Sequence, residues 1–102
     1  MSEIIHEFAQ PLRAADGTPY QVQVHGEPDG HVWYGWLTFV PLPAGVIIET
    51  DRETTQPSRE ALSYWATGLE PIYLEGAFGR AARDRATDPR RSDWPRSTAT
   101  AD

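Results

Sequence analysis

Four groups of residues in this chain carry side chains capable of chemistry. His25 and His31 bracket the segment Gly26-Glu27-Pro28-Asp29-Gly30, so two imidazoles and two carboxylates can be drawn around one turn as a metal site. A zinc-type site needs a full set of ligands at fixed geometry. No further ligands lie nearby in sequence, and two imidazoles beside a turn are more simply solvated. Asp51, Glu53 and Glu60 cluster at the junction of a strand-like and a helix-like stretch. Two carboxylates at suitable separation act as acid and base in glycoside hydrolysis; their plainer roles here are a loop acid, a cap and a charge at the positive end of a helix. Ser58 and Ser63 lack the strand-turn-helix setting of a nucleophile elbow, and His6-Glu7 has no partner at helical or strand spacing. No glycine-rich phosphate loop joins a strand to a helix. The expectation is therefore a chain with no catalytic constellation, no metal site and no cofactor, with a small hydrolase last among the functional readings.

Composition narrows the field further. The 102 residues contain no Cys, Lys or Asn, which removes disulfides, thiolate nucleophiles, thiolate zinc sites, the P-loop lysine and Schiff-base chemistry. All nine basic residues are Arg, and the formal net charge is −6. Residues 1–51 carry Arg13 against seven acids, whereas residues 52–102 balance eight Arg with eight acids. An acidic first half argues against general affinity for phosphate backbones. Met1-Ser2-Glu3-Ile4-Ile5-His6 lacks the basic and apolar regions of a signal peptide. No apolar run approaches the ~20 residues of a membrane span, so a cytoplasmic location without membrane contact is expected.

These groups must be positioned by a strand. His31-Val32-Trp33-Tyr34-Gly35-Trp36-Leu37-Thr38-Phe39-Val40 is the most apolar and aromatic window in the chain. Side chains alternate across a strand, so Val32, Tyr34, Trp36, Thr38 and Val40 share one face and Trp33, Leu37 and Phe39 the other, with a gap at Gly35. Both faces are apolar or aromatic, unlike a sheet with one wet side. Either the strand is buried on both sides, or one face is an aromatic binding surface anchored by Trp33 or Trp36.

The remaining elements follow from periodicity and turn chemistry. Ile4 to Phe8 reads as an edge strand. Tyr20-Gln21-Val22-Gln23-Val24-His25 alternates with Tyr20, Val22 and Val24 inward, and Gly26 to Gly30 reads as the turn of a hairpin pairing residues 20–25 with 31–40. Pro41 ends the aromatic strand, and Val46-Ile47-Ile48-Glu49-Thr50 reads as the next antiparallel strand. From Pro57 the pattern becomes helical, with Thr54 or Thr55 as N-cap. Leu62, Trp65, Ala66 and Leu69 form one stripe, Gly68 ends the helix, and Tyr64 lies on a different side from Trp65. A second helix from Pro71 presents Ile72, Leu74, Ala77, Phe78, Ala81 and Ala82. Gly76 and Gly79 lower its propensity by about 1 kcal/mol each unless they permit close approach to a neighbour.

The expected fold is α+β: an antiparallel β-meander of three to four strands followed by two helices packed on one face, consistent with strands preceding helices. Residues 1–85 form a single domain, and 86–102 an irregular Pro/Arg/Ser/Thr-rich tail, flexible or docked. The expected function is a non-catalytic protein-interaction or assembly domain, with another protein or a second copy as partner. Its contacts would be an aromatic sheet face and an Arg/Trp tail: Trp33, Tyr34, Trp36, Tyr64, Arg90, Arg91 and Trp94. Trp, Tyr and Arg are the residue types enriched at interface hot spots. The alternative, less favoured, is nucleic-acid association using the aromatic strand with the C-terminal Arg cluster.

Overall fold

The computed structural model describes residues 2–87. Its elements are β1 (Glu3–Glu7), β2 (Leu12–Arg13), β3 (Pro19–Asp29), β4 (Val32–Pro41), β5 (Ile48–Glu49), β6 (Thr54–Gln56), α1 (Arg59–Thr67) and α2 (Pro71–Thr87). All strand pairs are antiparallel. β1 and β2 both flank β3, and β5 and β6 both flank β4. The six strands thus make four lanes of a meander, with two helices after it, and the α+β expectation holds.

The β3–β4 hairpin is the spine of the sheet, and it is longer than its sequence suggests. Tyr20 pairs with Pro41 at one end and Asp29 with Val32 at the other. The segment Gly26 to Gly30 is therefore not a five-residue turn: Gly26, Glu27, Pro28 and Asp29 stay in the ladder, and the chain reverses at Gly30, whose φ is 64°, and His31. Gly30 takes this backbone conformation without steric cost. Gly26 stays in the strand, facing Gly35 across the ladder.

Both helices cover the same face. Val22 and Val24 of β3, Leu37 and Phe39 of β4, Leu62 and Ala66 of α1, and Leu74 and Ala77 of α2 form the buried core. Phe78 of α2 meets Tyr20 and Phe39 with ring centroids 4.8 and 5.1 Å away. Burial of such side chains stabilises by roughly 1.5–3 kcal/mol each. Trp33, Trp65 and Leu69 complete the rim, half-buried against this core.

Several local expectations need correction. Thr54 and Thr55 do not cap α1; they pair with Gly35 and Tyr34 in β6, and Ser58 caps instead, its Oγ accepting from the Ala61 amide at 3.0 Å. Once the ladder claims the threonines, Ser58 is the next residue able to cap. β5 spans only Ile48–Glu49; Val46 and Ile47 are exposed beyond it, where Pro41 offers no amide to a ladder. Ile72 is 76 % exposed rather than part of the core face of α2. Gly76 and Gly79 approach no neighbouring element: a methyl built on either meets only Arg80 or Arg83 of their own helix.

Candidate functional site

With both helices on one side, the opposite face of the sheet is open. Pairing directions place Gln21, Gln23, His25 and Glu27 of β3 there, opposite Val40, Thr38, Trp36 and Tyr34 of β4. The same alternation turns Trp33 toward the helices, where it packs on the core. Of the aromatic residues singled out in the sequence, Tyr34 and Trp36 therefore share the open face and Trp33 does not. Tyr64 is 83 % exposed on α1, on the far side of the sheet, so it does not extend this patch. Arg90, Arg91 and Trp94 lie outside the described residues.

A distortion in the outer lane shapes the centre of this face. Thr38 pairs with Glu49, but Gly35 pairs with Thr54, so two surplus residues are taken up opposite Trp36. Thr50 holds one shoulder, its Oγ1 accepting from the Leu37 amide at 3.0 Å, and the Glu53 amide donates to the Gly35 carbonyl at 2.8 Å on the other. Bulges re-aim side chains in this way. Asp51 and Arg52 are thrown onto the open face, while Glu53 turns to the helix side.

The result is a hollow of about 410 Å³ lined by Glu27, Tyr34, Trp36, Glu49, Thr50, Asp51 and Arg52. The Arg52 guanidinium carbon lies 3.4 Å from the centroid of the Tyr34 ring, a cation held by the negative face of an aromatic. His25 stacks beside Trp36 with centroids 6.0 Å apart, and its Nε2 bonds Gln23 Oε1 at 3.0 Å. Thr38 Oγ1 donates to Glu49 Oε2 at 3.2 Å. Three carboxylates thus surround one guanidinium over an aromatic floor, leaving the hollow net negative.

The bulge also separates residues that sequence proximity had grouped. Asp51 belongs to the open face, and Glu60 to the first turn of α1. Glu53 meets α2, where it accepts the Tyr73 hydroxyl and two Arg80 Nη2 contacts at 3.0 and 3.3 Å. Burial, together with the adjacent Glu53 carboxylate, pushes the Tyr73 phenol up to about 12. This clamp ties α2 to the outer lane, and its residues do not line the hollow around Trp36. The drawn metal site does not assemble either: His25 pairs with Trp36, and His31 lies in the turn. Among the described residues, no group of three His, Asp or Glu stands close enough to hold a metal ion.

A second hollow, about 360 Å³, opens between the β1–β2 connection and the start of α2, with Phe8, Leu12, Val22, Leu69 and Leu74 in its wall. It is apolar, with Arg13 and Glu75 at its margin. Sequence reasoning missed it because it lies between elements about sixty residues apart.

The molecule thus defines a class: a small α+β domain with a four-lane antiparallel sheet, helices on one face and an acidic aromatic hollow on the other. No family model, curated protein or solved structure matches the chain. Among the described residues, no helix is long and apolar enough to cross a membrane.

Proposed function

We propose that this chain is a non-catalytic protein-interaction domain that self-associates through the helix-free face of its sheet, in a cytoplasmic setting. The observation that carries this reading is the one-sided helix layer: it leaves Tyr34 and Trp36 together on a face with no structural duty toward the core. Tyr and Trp in such a position supply large contact area at low conformational cost and are enriched at interface centres. A chain of this size, with a small core, also gains from burying a face against another copy.

Nucleic acid is the reading placed behind it. Glu27, Glu49 and Asp51 surround Trp36, so a phosphate backbone approaching that ring meets like charge. Arg80, a candidate for supplying positive charge, is engaged with Glu53 on the other side of the sheet. Filter binding at low salt decides this alternative: retention of single- or double-stranded probes, lost steeply as salt rises, revives it.

Light scattering of the full chain over a concentration series tests the main reading. A concentration-dependent dimer that weakens in Trp36→Ala supports it. A monomer at every concentration ends it.

A further inference from the structure

We infer that the group this face takes is an arginine guanidinium, supplied by Arg90-Arg91 of a second copy, stacked on Trp36 and forked onto the carboxylates around it. The inference rests on the self-association proposed above and names its chemistry.

The face already holds one such contact. Arg52 lies flat enough over Tyr34 to bring its guanidinium carbon within 3.4 Å of the ring centroid. Trp is the stronger platform for a cation, and Trp36 is the next aromatic along the same face of β4, with no cation over its ring among the described residues. Around it, Glu49 has one carboxylate oxygen engaged by Thr38. The Glu27 and Asp51 carboxylates have no hydrogen-bond or ion-pair partner among the described residues. An aromatic plane edged by free carboxylates matches the two recognition modes of guanidinium: stacking, and bidentate N–H donation.

The chain itself points to the donor. It contains no Lys, so every side-chain cation with a permanent charge is Arg. Four of the nine are placed: Arg13 on the Gly17 carbonyl, Arg52 on Tyr34, Arg59 on Glu3 and Arg80 on Glu53. Arg83 also has a partner. Arg90-Arg91 is the one place in the sequence where two Arg are adjacent, and two positive charges match three carboxylates offset by Arg52. A second copy is the simpler source. α2, which precedes this pair, is fixed on the helix side through Tyr73 and Arg80, so the sheet stands between it and the hollow. Reciprocal exchange, each copy giving its Arg pair to the other's Trp36, closes as a two-fold dimer.

The test is sedimentation equilibrium on the full chain and full-length variants, each first checked for an unchanged melting temperature. R90A/R91A is expected to weaken the dimer about tenfold or more, and R90K/R91K less, because charge remains while the planar fork is lost. Glu49→Gln with Asp51→Asn should weaken it from the other side. Mixing W36A chains with R90A/R91A chains should restore association above that of either alone, since the hybrid keeps one intact Trp36–arginine contact. If W36A loses the dimer but R90A/R91A keeps wild-type affinity, the arginine inference falls and the self-association reading stands. A wild-type chain that is monomeric throughout overturns both, and a mixture no tighter than its components overturns the exchange between copies.

Discussion

Gly26 and Gly35 face each other across the β3–β4 ladder, and the Leu62 side chain of α1 occupies the notch they leave. A Cβ built on Gly26 would lie 2.5 Å from one Leu62 methyl, and one built on Gly35 would lie 2.6 Å from the other. Leu62 is fully buried. Helix α1 is thereby seated on bare backbone at the middle of the sheet, with Ile5 and Thr54 closing the notch from the flanking lanes.

Replacing either glycine by Ala forces Leu62 out of its position, since well-packed interiors do not absorb an added methyl freely. Gly26→Ala and Gly35→Ala are each expected to lower stability by about 1–3 kcal/mol. In a Leu62→Val background the added cost should shrink without vanishing, because the Leu62 methyls are gone while Ile5 and Thr54 still crowd the two positions. Urea denaturation of the four-member cycle measures that coupling; strictly additive losses would show that the notch does not seat Leu62.

Ser58 closes the first turn of α1 through its bond to the Ala61 amide. Ser58→Ala should cost about 0.5–2 kcal/mol, and Ser58→Gly only a few tenths. By contrast, Thr55→Ser keeps a hydroxyl yet caps nothing, so any loss there reports on strand pairing with Tyr34 instead. Thermal melts of the three variants separate the two roles.

Tyr73 gives the fold an alkaline limit. Its phenol holds the proton more tightly in the folded chain, up to about 12 against an ordinary 10.0. The neutral form is thus favoured by folding: its contribution is fully present below pH 10 and is lost as pH rises toward about 12. Denaturant midpoints measured across that window should fall for the wild type and flatten in Tyr73→Phe. Glu53→Gln should reduce the slope without abolishing it, because burial is the larger cause and remains.

Arg52→Ala removes a cation from an exposed ring face and should change stability by less than about 1 kcal/mol. The spectroscopic effect is local. The Arg52 side-chain proton resonances, shifted upfield by the Tyr34 ring in the wild type, should return to ordinary positions in Tyr34→Leu. Unshifted resonances in the wild type would remove the cation–aromatic contact from the face.

What the sequence disclosed was set by how local each cause is. Val22 and Val24 are buried by a period-two pattern written in six consecutive residues, and Leu62 and Ala66 by a helical stripe of similar length. Gly26 misled because Gly-x-Pro-Asp-Gly is turn chemistry in isolation, and only pairing with β4, from Gly35 back to Val32, shows that the segment stays in the ladder. Thr54, Thr55 and Ser58 were all competent caps, and the choice among them was made by pairing with β4. The aromatic face was legible in Tyr34 and Trp36, but its acids were not. Glu27 read as turn, Asp51 as loop, and nothing short of the register shows that both border one ring.

The bulge opposite Trp36 makes the presence of Arg52 on this face a property of chain length rather than of residue choice. With the two surplus residues between Glu49 and Thr54 deleted, the outer lane would close into a regular ladder. Asp51 and Arg52 would then leave the open face without any aromatic on it being altered. A two-residue indel thus removes the guanidinium from the Tyr34 ring in a single step, while Glu27 and Glu49 keep the face acidic. Which side chains meet on this face is thus set by spacing, a variable that comparing residues column by column would not register.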